Sequence, residues 1–137
     1  MVIKLMRGQY FFLSNFAESP MTAPTLEHHY QAAKCINKED AQIILNAKSP
    51  AEAKKLSRKM KIRPDFDKIK LQVMEDLLRK KFQDKNLAKK LKETENEEIV
   101  EGNWWNDTYW GICNGKGENH LGKLLMKIRD ELRNQTA

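Results

Sequence analysis

The segment FDKIKLQVMEDLLRKKF, Phe66 to Phe82, decides the fold class. Phe66, Ile69, Val73 and Leu77 recur at three- and four-residue steps, and Met74, Leu78 and Phe82 widen the stripe. A period of about 3.6 residues puts them all on one side of a helix. The pattern predicts a long helix with a wide buried face. Pro64 breaks the chain ahead of it, and Asp65 stands where a cap belongs. Upstream, Ser49-Pro50-Ala51-Glu52 offers a capping serine, proline at the first helical position and a glutamate that can bond back. That helix is expected to run to about Met60. Asn37 and Asp40 open a shorter one ending near Ala47, and Thr25 can cap another reaching about Ile36. Downstream, a short helix is expected from Asn86 to Lys92. Leu121, Leu124, Leu125, Ile128 and Leu132 mark a final amphipathic helix. Strand signals are brief. VIKLMRGQYFFL reads as a hairpin turning at Gly8, and EEIVEG and YWGIC as short strands. The expectation is an α+β fold in one compact domain, residues 1–137, predominantly helical with a small β component.

The chain has 137 residues, a length that suits one core. Hydrophobic residues make up 40% and charged residues 32%. No run approaches the roughly 20 apolar residues that span a bilayer, so no membrane partner is expected. The opening MVIKLMRGQYFFLSNF lacks a long apolar region and a small-residue cleavage site, which points to the cytoplasm. Cys35 and Cys113 are too few for a disulfide framework and read as free thiols. The net charge of +6 favours anionic partners such as nucleic acid, nucleotides or sugar phosphates. The runs KKLSRKMK and LRKKFQDKNLAKKLK are patterned equally well as solvated helix faces. No aromatic-interleaved basic motif argues for single-strand binding.

Chemistry concentrates in three stretches. In TLEHHYQAAK, Glu27, Gln31 and Lys34 fall on one helical stripe. Spacing alone leaves two readings, an exposed salt-laced face or the wall of a polar site. His28 and His29 interrupt the opposite flank, and Tyr30 sets an aromatic beside the stripe. The histidines and cysteines match no structural zinc spacing, so no metal is expected, and His28 reads as a hydrogen-bonding neighbour. In NWWNDTYWG, four aromatics, Trp104, Trp105, Tyr109 and Trp110, lie within seven positions. They read either as packing or as a stacking wall for a planar ring. Asp107 sits among them, where loss of solvent would raise a carboxyl pKa. In GKGENHLGKLL, glycines before a helix can aim N–H groups at an anion, and Asn119 can equally be a cap. There is no G-x-S-x-G elbow, recognisable Cys/His pair or dinucleotide fingerprint. Carboxylates, an amine, amides and rings remain, a set that suits cleavage at a sugar carbon through an oxocarbenium-like state. Composition alone does not single out this reaction.

Seven short motifs occur in order: SNF at Ser14 to Phe16, E-H-x-x-Q-x-x-K from Glu27, AKSPAEAKKLSR, RPD before an aromatic, M-x-x-x-L-x-x-KF, D-x-x-WG, and G-x-N-x-LG-x-LLM-x-IR. Together they resemble the YbiA-like family of the NADAR (NAD and ADP-ribose) superfamily, over roughly Tyr10 to Leu132. The resemblance implies a mostly helical α+β domain with N-glycosidase activity that needs no metal and no other cofactor. Some members hydrolyse early riboflavin-pathway intermediates, the ribosylaminopyrimidine phosphates, and others remove ADP-ribose from guanine bases in nucleic acid. It places acid/base or cation-stabilising work on Glu27 and Asp107. Lys34 would hold a phosphate, pair with Glu27 or attack an opened sugar. Asn15, Gln31 and Asn119 would orient ribose hydroxyls or phosphate. Ser14, Phe16, His28, Phe66, Trp110 and Gly111 would complete the substrate pocket.

The chain departs from the family pattern at three places. Phe66 stands where tryptophan is usual, Ala33 replaces a glutamine in Q-A-Q-K, and NWW is unusually aromatic. These changes point to altered substrate choice. The expectation is that the carboxylates of Glu27 and Asp107 converge on one desolvated hollow sized for a ribosyl group. The competing readings are a non-catalytic module that binds ADP-ribose or nucleotides, and a basic helical nucleic-acid binder.

Overall fold

In a computed structural model that describes residues 2–135, the chain is α+β and predominantly helical. It divides into two compact units, one formed by Asn15–Lys81 and the other by the flanking stretches up to Ser14 and from Phe82 onward.

The Asn15–Lys81 unit holds four α-helices: α1 Leu26–Ala33, α2 Lys38–Leu45, α3 Pro50–Ser57 and α4 Phe66–Lys81. Local chemistry starts the first three. Thr25, Asn37 and Ser49 each accept an N–H from three residues on. Such caps contribute about 1 kcal/mol each. Glu52 also reaches back, but to the N–H of Lys48, one residue before the cap. Asp65 pairs through both carboxylate oxygens with Arg63 at 3.1 and 3.0 Å, closing the turn before α4. Helix α1 packs against α2, α3 and α4. Ala32, Ile44, Ala47 and Ala53 form a core whose small residues let the backbones approach closely. Helices α1 and α3 stop short of the expected Ile36 and Met60. The chain there makes an antiparallel bridge between Cys35 and Ile62, and Arg63 N–H bonds Lys34 O at 2.8 Å. On α4 the buried stripe runs Phe66, Met74, Leu78 and Lys81, while Ile69, Val73 and Leu77 are half-buried. Trimming the fully buried Leu78 to alanine would cost about 2–5 kcal/mol.

In the unit of the chain ends the hairpin expected over VIKLMRGQYFFL does not form. β1, Val2–Ile3, pairs in parallel with β2, Glu98–Ile99, and Gly8–Leu13 is a 3-10 helix. The strand's partner lies far along the chain, and Gly8, at φ +57, begins the 3-10 turn. β3, Gly102–Asn103, pairs in parallel with β4, Ile112–Cys113. α5, Lys85–Lys92, is capped by Asp84. α6, His120–Gln135, packs on α5 and β2 and buries Leu121, Leu124, Leu125 and Ile128. Arg129 bolts α6 down by donating to Thr94 Oγ1 at 3.0 Å and Glu97 O at 2.7 Å. Cys35 and Cys113 are free thiols. No helix among the described residues is long and apolar enough to cross a membrane.

Candidate active site

Helix α1 stacks Glu27, Gln31 and Lys34 along one face, and burial decides between the two readings of that stripe. Glu27 is only 7% exposed and Gln31 2%, which excludes a solvated face. Gln31 Nε2 donates to Glu27 Oε2 in a short hydrogen bond. Ser57 Oγ, from α3, lies 2.7 Å from Gln31 Oε1. The series Ser57, Gln31, Glu27 therefore fixes the orientation of a buried carboxylate. Both ends of the Gln31 amide take part in this support.

Asn15 closes the same corner. Its carbonyl accepts the Glu27 N–H at 3.1 Å, and its Nδ2 lies 3.5 Å from Met74 Sδ. Its Oδ1 is buried with no hydrogen-bond partner. Native interiors rarely leave such an acceptor unpaired. It marks a position where a ligand hydroxyl or N–H can donate.

Lys34 closes α1. Its Nζ lies 5.3 Å from the Tyr30 ring centroid and 5.9 Å from that of Phe66. Those two rings meet edge-on at 5.5 Å, so Phe66 keeps an aromatic face at this position. Burial lowers the Lys34 pKa. Glu27 opposes the shift, while Lys54, Arg58 and Lys70 push it further down. Four cationic side chains thus act at one place beside a buried carboxylate.

His28 is bonded to the protein at both ring nitrogens. It is fully buried, with Nδ1 2.7 Å from Thr25 Oγ1 and Nε2 3.0 Å from Ala47 O. A carbonyl only accepts, so Nε2 carries the proton and both ring nitrogens are used in holding α1 to the turn before α3. Phe16 is exposed, and Ser14 closes the 3-10 helix with its N–H on Phe11 O at 2.8 Å.

Asp107, Trp110, Gly111 and Asn119 lie in the other unit. Asp107 Oδ1 accepts the N–H groups of Tyr109 and Trp110 at 3.2 and 2.9 Å, a side-chain turn that sets the loop. Asn103 braces the same loop. Its Nδ2 donates to Asp107 O and Glu101 Oε2, both at 2.9 Å, and its Oδ1 takes the Asp107 N–H at 3.0 Å. The Tyr109 and Trp110 rings cross at 90°. Gly111 has no room for a side chain, since a Cβ there would overlap Glu101 and the Asn103 amide. Asn119 uses its amide to tie the chain before α6 to the stretch Ile99–Glu101. Oδ1 accepts the Glu101 N–H and Nδ2 donates to Ile99 O, each at 2.9 Å. The start of α6 is not an anion site, because the N–H groups of Asn119, His120 and Leu121 are taken by the carbonyls of Gly111, Tyr109 and Trp110.

Residue types and spacing gave no sign of Ser57, of the basic trio Lys54, Arg58 and Lys70, or of the brace Asn103. Ser57 and Lys54 lie on α3, Arg58 just past it and Lys70 on α4, so they come to act on the α1 residues only on folding. No group of three or more His, Cys, Asp or Glu among the described residues is arranged to hold a metal ion.

Residues 6–133 match the sequence profile of the NADAR domain. The chain belongs to the NADAR family. Among relatives of this domain, the N-glycosidase Npun_R5314 of Nostoc punctiforme is 41% identical over 117 residues, 80% of this chain and 74% of that protein. The N-glycosidase YbiA of Escherichia coli K12 is 38% identical over 132 residues, 90% of this chain and 82% of that protein. The riboflavin biosynthesis protein VVA0006 of Vibrio vulnificus is 36% identical over 130 residues, which are 35% of its length. The solution structure of E. coli YbiA shares the NADAR fold seen here with a TM-score of 0.86 and 34% identity, over 98% of this chain and 87% of that one.

Proposed function

We infer that the protein is an N-glycosidase, a hydrolase that cuts the bond between a ribose carbon and a base or base-like amine. The observation that carries this reading is the buried Glu27 carboxylate, oriented by Gln31 and Ser57 and set beside Lys34. As the carbon–nitrogen bond lengthens, positive charge grows on the ribose ring. A preoriented carboxylate away from bulk water stabilises that charge most strongly. Glu27 also takes a proton from the attacking water, whose oxygen bonds the ribose carbon. Lys34, as an ammonium, gives a proton to the departing nitrogen, and its lowered pKa makes it a better acid than an ordinary lysine. The proton held by Glu27 then restores Lys34. Asn15 Oδ1 is the acceptor for a ribose hydroxyl.

The substrate is phosphorylated. Lys54, Arg58 and Lys70 around Lys34 supply the positive field that a phosphate or pyrophosphate calls for. Relatives named as N-glycosidases and as a riboflavin biosynthesis protein make a ribosylaminopyrimidine phosphate the first substrate to assay, with ADP-ribosylated guanine the second. Asp107 acts as a positioning residue that holds Trp110 and Gly111 in place. The profile match across 6–133 supports treating the whole chain as one domain. The test is to incubate the protein with each substrate and follow free base and free sugar phosphate or ADP-ribose by mass spectrometry. Release in either arm is the expected result. Thermal stabilisation by both ligands with no product in either arm would identify a binding module instead.

A further inference from the structure

Folding brings together a second group of residues that the reaction does not use. Trp104 is 65% exposed and Trp105 50%, although tryptophan is ordinarily well covered. Their rings meet edge-on with centroids 5.0 Å apart. The Arg7 guanidinium lies over the Trp104 ring, 4.2 Å from its centroid. The first strand's end is drawn to the same place. A Cβ on Gly102 would overlap Lys4 O and touch Leu5 Cδ2, so only glycine lets Lys4–Leu5 lie against the residue two before Trp104. Lys4 and Arg7 are exposed, and Leu5 is 46% exposed. The nearby acids are engaged within the loop: Glu101 Oε2 accepts from Asn103, and Asp107 Oδ1 accepts from the backbone of Tyr109 and Trp110. The result is two largely exposed indoles, one of them under a guanidinium, with the backbone of the exposed Lys4 packed against the residue two before them.

We propose that Lys4, Arg7, Trp104 and Trp105 form a docking platform for single-stranded nucleic acid. Each element has a matching chemistry. Indole faces stack on bases whatever their identity, and interleaved Arg and Lys follow the phosphates. A guanidinium over one ring extends the stack by a cation–π contact. The chain's net charge of +6 draws the strand in. A second copy of this chain fits less well. A two-fold contact would pair this cationic patch with an identical one, bringing like charges together. The arrangement was invisible in the sequence, because Arg7 and Trp104 lie far apart along the chain.

The platform does not depend on the reaction assigned to Glu27, and its test separates the two. Fluorescein-labelled dT12 and U12 are titrated with the full chain, and anisotropy is read at 50 and 200 mM salt. Binding of either oligomer is expected, weakening as salt rises. Comparison of the two identifies the sugar that the platform prefers. Trp104→Ala/Trp105→Ala should weaken it at least tenfold, while Glu27→Gln binds as the wild type does. Thermal unfolding of the double variant should match wild type, since both side chains are exposed. Its turnover of a free ribosylaminopyrimidine phosphate should also be unchanged. Failure of both oligomers to bind, or binding unaltered in the double variant, overturns the proposal. So does concentration-dependent self-association in sedimentation that the double variant abolishes while oligomer binding persists.

Discussion

Lys81 ends α4 only 1% exposed, and burial pulls its amine down to about 7 from 10.5. That drop corresponds to about 5 kcal/mol between charged and neutral amine in the fold. Its effect on stability has a definite sign. Below pH 7 the amine is charged in both folded and unfolded chains, and the fold bears the whole cost. Between pH 7 and 10.5 the unfolded chain binds the extra proton, so stability rises by about 1.4 kcal/mol per pH unit. From pH 6 to pH 9 the gain from this one group is about 3 kcal/mol. Lys81→Met removes the amine while keeping an unbranched chain of similar length. Urea unfolding of both proteins, followed by circular dichroism with reductant present, gives the stability difference at each pH. The variant's advantage should shrink by about 3 kcal/mol between pH 6 and pH 9. Parallel stability curves for the two proteins across that range would refute the reasoning, whatever the absolute difference between them.

Three other outcomes are expected. The wild-type kcat should fall with rising pH along a limb set below 10.5 by the lowered Lys34 pKa, and Lys34→Arg, which stays charged and gives up no proton, should lower kcat and abolish that limb. A limb that persists in the variant would remove Lys34 as the acid. Asp107→Asn keeps an acceptor for the Tyr109 and Trp110 N–H groups and should keep most of its turnover, whereas Asp107→Ala should lose about 1–2 kcal/mol of stability. Loss of turnover in a normally stable Asp107→Asn protein would move that residue into the chemistry. Ser57→Ala should lower kcat about tenfold, a barrier change of about 1.4 kcal/mol, with KM little changed, because only the orientation of Glu27 is loosened. An unaltered kcat would dissociate Ser57 from the site.

Helix starts were legible because caps are local. Thr25, Asn37 and Ser49 act on residues three positions away, and each does so in the structure. Pairings over long separations were not. β1 meets β2 from the far end of the chain, so the aromatic run Tyr10–Phe12 read as a strand arm when it is a 3-10 turn. The site divides along the same line. Glu27, Gln31 and Lys34 could be placed on one stripe by counting, but whether the stripe faced water depended on α3 and α4 packing over it. A polar side chain looks the same in sequence whether it meets substrate or backbone, and only the fold shows His28 and Asn119 bonded to the protein itself. Lys81 shows the converse, a charged residue that falls on the Met74–Leu78 stripe and that packing encloses.

The central claim is that Glu27 does the chemistry. Glu27→Gln keeps the size of the side chain and an oxygen that can accept from Gln31, so its thermal unfolding should stay close to wild type. The decisive measurement is single-turnover release of free base from whichever ribosyl substrate the wild type cleaves, with excess enzyme to exclude binding effects. The account predicts a folded, substrate-binding Glu27→Gln protein whose cleavage rate falls by at least a thousandfold, about 4 kcal/mol of transition-state stabilisation. Cleavage by that variant within tenfold of wild type would contradict it.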